Sequence, residues 1–382
     1  MSKYLSLLIC LLFCASVYAQ ATPPQQNQQV RAHYQKAQAL ERAGDWAAAE
    51  REWQETLKLL PNDARVWVNL GVALNRQDKT DEAIAAWNKA AELDPKLPGA
   101  PFNLGLLLVR KNDYAAAIQP LRQALTLEPE NDAARRSLAL ALIGTDKYQE
   151  ASRELARLLA RNPKDASLLE LAAQSFIKQR RFSEATIVLK RRLELEGATS
   201  QLWAQYGDAL DGAGRTPEAI EAYKHAVALA PEANITRYGL GYLYWKQYRY
   251  DEAEKELTEV LRRDPQESRA AFTLGDLYLT KGDAKRALPL LELAARDYPS
   301  EFDTRFALGR ALLRSGDQER GIAELRVAVG LDAAIADGHF QLGRALIQAG
   351  QKDEGTRELE RARELNNTKR ATEALPPKPP TP

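Results

Sequence analysis

The feature that most constrains this chain is a pattern of small and large apolar residues that returns every 34 residues. Its clearest copy lies between Ala64 and Leu97, where two helical patterns are separated by a polar turn. Trp67, Leu70 and Leu74 share one face of the first predicted helix, and Trp87 lies on the apolar face of the second. Such a pair of helices has a second apolar face that it cannot bury alone, so it needs a neighbouring pair.

The pattern predicts ten units in one register, without insertion or deletion, over about nine-tenths of the chain. Position 8 of every unit is Gly or Ala, position 20 is Ala or Gly, and position 32 is Pro in seven of the first eight units. The predicted units are residues 30–63, 64–97, 98–131, 132–165, 166–199, 200–233, 234–267, 268–301, 302–335 and 336–369.

The pattern resembles the tetratricopeptide repeat, which has Trp at position 4, Leu-Gly at 7 and 8, Ala at 20, an aromatic at 24 and Pro at 32. The resemblance implies an all-α fold, a right-handed α-solenoid superhelix of ten helix-turn-helix repeats. The fifth repeat departs most from the pattern, since Ala172, Ala173, Arg192 and Gly197 occupy four of its signature positions. Two interpretations stay open for it, a diverged repeat or a flexion point.

The first nineteen residues predict a secretory signal peptide. Lys3 gives a basic start, an apolar run follows from Leu5 to Val17, and Val17 and Ala19 are small residues before a cleavage site at Gln20. The run is shorter than the roughly 20 residues of a comfortable membrane span. We therefore expect a periplasmic or secreted protein. The alternative is an uncleaved anchor or a cytoplasmic N-terminus.

Both ends of the repeat array are predicted to be irregular. Residues 20–29 are polar and contain Pro, which predicts a disordered linker. Residues 370–382 are predicted to form a Pro-rich tail, with a short capping segment at residues 368–375.

Composition argues against several classes of function. Cys10 and Cys14 both lie in the predicted leader, so the mature chain would have no disulfide and no thiol nucleophile. The 53 basic and 52 acidic residues give none of the basic excess that nucleic-acid binding requires. His33, His225 and His339 are far apart, and no phosphate-binding loop or nucleophile elbow occurs. We expect no enzymatic activity, no cofactor and no nucleic-acid partner.

The resemblance also implies where a partner would bind, because positions 2, 5, 9, 12 and 13 of the first helices line the groove of such proteins. The candidate partner-binding residues at these positions are large and apolar or aromatic: Tyr34, Phe102, Tyr238, Tyr242, Trp245, Phe272, Phe306 and Phe340. The alternative is that the position-5 residues are plain core. Position 13 carries a basic series, interpreted as a groove border or as a solvated edge: Arg42, Arg76, Arg110, Lys178, Lys246 and Arg314.

The seventh predicted repeat is the best candidate for a binding surface. It holds six aromatic residues within thirteen, which exceeds what the interior of one helix pair can contain: Tyr238, Tyr242, Tyr244, Trp245, Tyr248 and Tyr250. Some of these rings must be exposed, and exposed aromatic rings are typical of binding surfaces.

The sequence therefore predicts a non-enzymatic protein-protein interaction scaffold of the bacterial periplasm or cell envelope. Its groove would hold an extended segment or a helix of a protein or peptide partner. The alternative is a structural subunit of an envelope export or polysaccharide-secretion assembly, which implies peripheral association with the outer membrane.

Overall fold

The computed structural model describes residues 24–195 and 197–373. This part of the chain is all-helical, with twenty α-helices and no strand, which confirms the predicted fold class. It divides into two compact units, Met1–Gln179 and Arg180–Pro382, here called the N-terminal and the C-terminal unit. The predicted signal peptide, residues 20–23 of the predicted linker and residues 374–382 of the predicted tail lie outside the described residues.

Nine helices are described in the N-terminal unit and eleven in the C-terminal unit. The N-terminal helices are α1 (Pro24–Ala43), α2 (Trp46–Leu59), α3 (Ala64–Asn75), α4 (Thr80–Leu93), α5 (Gly99–Arg110), α6 (Tyr114–Leu127), α7 (Asp132–Gly144), α8 (Tyr148–Arg161) and α9 (Ala166–Lys178). The C-terminal helices are α10 (Phe182–Leu193), α11 (Ser200–Gly212), α12 (Thr216–Leu229), α13 (Asn234–Lys246), α14 (Tyr250–Arg263), α15 (Ser268–Thr280), α16 (Ala284–Asp297), α17 (Phe302–Ser315), α18 (Gln318–Leu331), α19 (Ala336–Gln348) and α20 (Lys352–Glu373).

Within each unit the helices stack in chain order. In the C-terminal unit each first helix contacts its own second helix, as α11 does α12. Each of the first helices α11, α13, α15 and α17 also contacts the next first helix along the chain. Short turns join the helices of a pair, as expected for antiparallel neighbours. The first helices therefore form a continuous surface within the unit, which we call the first-helix face.

Glycine at position 8 lets the two helices of a pair approach closely. A Cβ atom at Gly71 would lie 2.4 Å from Nε1 of Trp87, which instead packs over the bare backbone and donates to the Val68 carbonyl at 3.1 Å. The same contact recurs between Gly207 and the ring of Tyr223. Small and large residues are thus paired across each helix pair, as the sequence pattern indicates.

The turn inside each pair needs one residue in the left-handed region. Positive φ angles recur every 34 residues, and half of these positions are not glycine: Gly44, Asp78, Asn112, Asp146, Arg180, Gly214, Tyr248, Gly282, Gly316 and Gly350. Left-handed backbone is unfavourable for residues with a Cβ atom, so the non-glycine positions store some strain.

At position 4, where the family has Trp, five of the ten predicted repeats carry Arg or His paired with a glutamate of the second helix, a contact that we call the polar pin. Arg237 on α13 pairs with Glu256 on α14 and donates to the carbonyl of Pro231 at 3.1 Å. The base and the glutamate are 19 residues apart in five pairs: His33–Glu52, Arg135–Glu154, Arg237–Glu256, Arg305–Glu324 and His339–Glu358. Trp67 makes the equivalent contact with the carbonyl six residues earlier, that of Pro61, at 2.9 Å. Arginine and histidine therefore replace tryptophan as a polar pin.

The first described helix starts earlier than predicted. It begins at Pro24, so residues 24–29 are helical and do not belong to a disordered linker. Proline is tolerated at a helix start, and the glutamines that follow are good helix formers. The amide of Gln26 also donates to the carbonyl of Leu59 at the end of α2, at 3.3 Å.

The last described helix runs further than predicted. Helix α20 continues to Glu373 without a break, so residues 368–373 extend it and do not form a separate cap. No Gly or Pro occurs between Gly355 and Pro376, and the residues between them include the helix formers Lys, Arg and Ala.

Among the described helices, none combines the length and the apolar character that a membrane crossing demands.

Candidate functional site

Three of the predicted binding residues come together on α13 and form what we call the aromatic patch: Tyr238, Tyr242 and Trp245. Spacings of four and three residues place their rings on one side of the helix. The ring centres of Tyr238 and Tyr242 are 6.2 Å apart, and those of Tyr242 and Trp245 are 5.6 Å apart. Tyr242 is 37% exposed, and the other two rings are half-buried.

The neighbouring first helix, α15, holds the aromatic patch in place. The guanidinium of Arg269 lies 5.0 Å from the ring centre of Tyr238, and Nε1 of Trp245 donates to Oδ2 of Asp276 at 3.2 Å. Burial raises the pKa of Tyr238. The rings are therefore positioned before any partner arrives, which lowers the entropic cost of binding.

Two carboxyl groups lie on the same face at position 9 of their repeats. Burial raises the pKa of Asp208 on α11 and of Asp276 on α15 above the usual range. The hydroxyl of Tyr223 donates to Oδ1 of Asp208 at 2.6 Å. Asp208 is exposed and Asp276 is half-buried, so both carboxyl groups can accept hydrogen bonds from a bound backbone.

A cavity of about 460 Å³ lies beside Asp208, between α11, α12 and α13. Ala204, Tyr223 and Ile235 contribute to its lining, and Ile235 is 66% exposed. A mostly apolar cavity with one carboxyl group in its lining can bind a side chain that is apolar along its length and polar at its end.

The other predicted binding residues do not join the aromatic patch. In the N-terminal unit, Tyr34 packs edge-on against Trp53 with ring centres 4.8 Å apart, and Phe102 is half-buried against a core cluster. In the C-terminal unit, Phe272 is half-buried against the core.

The last two candidates differ from each other in exposure. Phe306 is only 9% exposed and stacks on Phe302 with ring centres 5.3 Å apart. Phe340 is 42% exposed, with the guanidinium of Arg344 at 5.7 Å from its ring centre. Phe306 therefore offers little surface to a partner, whereas Phe340 offers more than Tyr242.

The remaining aromatic residues of the seventh predicted repeat are divided between core and solvent. Tyr244 is 6% exposed and belongs to the core, whereas Tyr248 is 78% exposed. Tyr248 lies in the turn after α13, with φ of 58°, and its ring packs edge-on against Tyr250.

Much of the basic series at position 13 ties structural elements together. Arg110 donates to Oδ1 of Asn75 at 2.9 Å, and Lys246 contacts both carboxylate oxygens of Asp211 at 2.8 Å. Arg314 donates to the carbonyl of Leu279. In each case the residue reaches back to position 12 of the preceding first helix. These three side chains are therefore engaged in linking first helices.

The histidines have structural partners. Nδ1 of His33 is 2.6 Å from Glu52, Nδ1 of His339 is 2.6 Å from Glu358, and His225 stacks on Trp203 with ring centres 4.4 Å apart. Within residues 24–195 and 197–373, no group of three or more His, Cys, Asp or Glu side chains could hold a metal ion.

The fold and the face described above define the class of helical-repeat proteins, and comparison with protein families gives the particular family. One model described as tetratricopeptide repeat matches residues 34–101, 205–268, 238–302 and 272–339. A second model with the same description matches residues 108–175. The first model alone matches more than half of the chain, so the chain belongs to the tetratricopeptide repeat family. The count of ten repeats stays a prediction.

Several solved structures are similar to the chain. MamA of Desulfovibrio magneticus RS-1, from residue 41 to its end, is 22% identical over 46% of this chain and 98% of its own, with a TM-score of 0.42. A chain of the Naa15/Naa10 structure bound to HypK-THB is 16% identical over 90% of this chain and 64% of its own, with a TM-score of 0.49. A chain of the APC/C hetero-tetramer Cut9-Hcn1 is 13% identical over 88% of this chain and 73% of its own, with a TM-score of 0.47. No curated protein matches.

Proposed function

We propose that this protein is a non-enzymatic scaffold that binds a segment of a protein partner on the first-helix face of its C-terminal unit. The observation that carries the proposal is the aromatic patch, in which Tyr242 is 37% exposed and is flanked by Tyr238 and Trp245. Tetratricopeptide repeat proteins mediate protein-protein interaction, so the family supports a scaffold role.

The chemistry of the patch favours a peptide segment with apolar side chains. Tyrosine and tryptophan dominate the energetics of protein interfaces because they bury a large area at low conformational cost. The cavity beside Asp208 lies on the preceding first helix and would take a further side chain of the same segment. A segment that crosses α11 and α13 would therefore have two anchor points.

We place this activity outside the cytoplasm, in the periplasm or cell envelope of a bacterium. The support is the sequence of residues 1–19, which has the basic start, apolar run and small residues of a signal peptide. The absence of catalytic motifs from the sequence supports the non-enzymatic role.

The test is capture of partners from a periplasmic extract by the tagged protein and by the double variant Tyr242→Ala plus Trp245→Ala. We expect the double variant to lose at least about tenfold of the capture, since each buried aromatic anchor contributes about 2 kcal/mol. Thermal melting of both proteins checks that a loss of capture is not caused by unfolding.

The matched control is Tyr248→Ala, which removes an exposed ring from the turn after α13 without touching the aromatic patch. This variant should capture as much as the wild type. Unchanged capture by the double variant, or an equal loss in Tyr248→Ala, would contradict the proposal.

A further inference from the structure

A second cavity, of about 340 Å³, lies between the first helices α17 and α19. It is lined by three arginines, two glutamines, one leucine and one alanine. We call the three arginines the arginine cleft: Arg310, Arg314 and Arg344. Arg310 and Arg344 occupy position 9, the same position as Tyr242 in the aromatic patch.

The arginine cleft lacks counter-ions. Within residues 24–195 and 197–373, none of the three guanidinium groups forms an ion pair. Arg314 donates to the carbonyl of Leu279, which leaves its charge uncompensated. The charge of Arg310 opposes the rise in the pKa of Asp276, which accepts the hydrogen bond from Trp245, but the two side chains do not form an ion pair. Several other arginines of the unit are paired, as Arg320 is with Glu292 at 2.8 Å. Among the described residues, the exposed Arg357 and Arg363 on α20 form no ion pair either, but they do not line a cavity with other arginines.

Aromatic rings hold two of these guanidinium groups. Arg310 lies 5.4 Å from the ring centre of Phe306, and Arg344 lies 5.7 Å from that of Phe340. A planar guanidinium that contacts a ring keeps donors free to bind a carboxylate through two hydrogen bonds. The cleft is therefore arranged for planar anions.

We infer that the arginine cleft binds the acidic side chains of a peptide segment, and that this segment is the one held by the aromatic patch. The inference thus rests on the proposed function. Helix α13 is two first-helix steps from α17, or about 16–20 Å at the usual helix spacing. An extended chain covers that distance in about five or six residues. The partner segment then carries apolar residues about five or six positions from a group of Asp or Glu.

Charge complementarity favours an acidic peptide over a nucleic acid. The whole chain has a formal net charge of +1, which gives no extended positive field for a phosphate backbone. The cleft spans only two first helices, so it matches a few carboxylates better than a long polyanion.

The test uses a fluorescein-labelled peptide made of Trp-Leu-Trp, a five-residue Gly-Ser spacer and three Glu. A second peptide has Gln in place of Glu, and a third probe is a twelve-nucleotide oligo-dT strand. Binding is measured by fluorescence anisotropy. For the wild type we expect the Glu peptide to bind at least about tenfold more tightly than the Gln peptide, since charge-assisted bonds are the strong ones.

The variant Arg310→Gln plus Arg344→Gln should reduce that preference to less than about twofold. The matched control is Arg357→Gln plus Arg363→Gln, which removes the same charge from exposed positions of the second helix α20. This control should keep the full preference.

Three results would overturn the inference. The first is equal binding of the two peptides by the wild type. The second is a preference for Glu that persists in Arg310→Gln plus Arg344→Gln, and the third is binding of oligo-dT as tight as that of the Glu peptide.

The Gln peptide tests the proposed function separately, because Tyr242→Ala plus Trp245→Ala should abolish its binding. If the Gln peptide binds but the Glu peptide binds no more tightly, the inference about the arginine cleft fails and the proposed function stands. If neither peptide binds, both proposals fail.

Discussion

Two regions of the first-helix face share one backbone frame and have opposite chemistry. Around α13 the face presents tyrosine and tryptophan next to the carboxyl groups of Asp208 and Asp276, whereas around α17 and α19 it presents three arginines. Position 9 is Tyr242 in the first region and Arg310 and Arg344 in the second. The residues that build the helix pairs are therefore separate from those that are presented on the first-helix face.

The helix packing is the same in the two regions because it depends on positions 4 and 8 of the repeat and not on position 9. Gly241 and Gly309 both lie against a leucine of their second helix, and Arg237 and Arg305 both pin a glutamate 19 residues later. A position-9 side chain on the first-helix face can therefore change from aromatic to basic without altering the helix packing.

The largest effect on stability should come from removing the glutamate of a polar pin, which can be done near each of the two regions. Glu256→Ala leaves Arg237 without its carboxylate at a site where both side chains are only 14% and 12% exposed. We expect a loss of about 2–3 kcal/mol in the free energy of unfolding. Glu324→Ala affects a more exposed pair, 21% and 23%, and should cost about 1 kcal/mol. Urea denaturation measures both, and equal losses would contradict the ranking.

The pins also show what the sequence could and could not predict. The 34-residue pattern was enough for the all-α fold, because small residues at positions 8 and 20 recur in every predicted repeat. The pattern did not show that Arg135, Arg237 and Arg305 replace tryptophan at position 4. That role depends on a glutamate 19 residues away and on a carbonyl in the preceding loop, and only the three-dimensional fold brings these together.

The second prediction concerns glycine at position 20, which only the α17–α20 region has. A Cβ atom at Gly321 would lie 2.8 Å from the side chain of Leu313 and 3.0 Å from its backbone nitrogen. We therefore expect Gly321→Ala to lower the free energy of unfolding by about 1–2 kcal/mol, although alanine is the better helix former.

A control lies on the same helix. Gly330 on α18 has no atom within 4 Å of the place where a Cβ would be, so Gly330→Ala should raise the free energy of unfolding by about 0.5–1 kcal/mol. If both substitutions stabilise the protein, the close approach of α17 and α18 at Gly321 is wrong.

The third prediction compares the turns of the two regions. Tyr248 follows α13 with φ of 58°, whereas glycines Gly316 and Gly350 occupy the same turn position after α17 and α19. Tyr248→Gly should relieve strain and raise the free energy of unfolding by about 0.5–1 kcal/mol, and Gly316→Ala should lower it by about 1 kcal/mol. Thermal unfolding gives both signs, and a loss for Tyr248→Gly would argue against a strained turn.

The smallest effect should come from Asp276, which lies between the two regions. Burial raises the pKa of this carboxyl group above 3.8, while Arg310 opposes the shift and Asp303 adds to it. The folded protein therefore keeps this proton to higher pH than the unfolded chain does. Its contribution to stability falls as pH rises from the ordinary pKa through the raised one.

Asp276→Asn removes that titration and retains an oxygen that can accept from Trp245. The variant should be more stable than the wild type at pH 7, and the difference should shrink toward pH 3. Urea denaturation at both pH values measures this, and a difference that grows on acidification would contradict the sign.

The candidate site was predicted only in part from the sequence. Tyr238, Tyr242 and Trp245 were selected because the seventh repeat has more rings than a helix pair can bury, and the structure brings these three together. The charged members of position 9, Asp208 and Arg310 among them, were missed because only its apolar members were considered. The repeat register alone would have placed these residues on the first-helix face. Only the three-dimensional structure shows that Asp208 accepts a hydrogen bond from Tyr223 and that Arg310 forms no ion pair within the described part of the chain.

The most direct test of a partner-binding first-helix face is photo-crosslinking in the source cells. A photoreactive phenylalanine replaces Tyr242 or Phe340 on that face, and Leu229 or Val327, which are 55% and 44% exposed on second helices, as controls. Mass spectrometry then identifies the crosslinked segment. We predict that Tyr242 and Phe340 capture one partner segment, with apolar residues near the first site and acidic residues near the second, while the controls capture none. Equal capture of that segment from Leu229 or Val327 would contradict the assignment of this face.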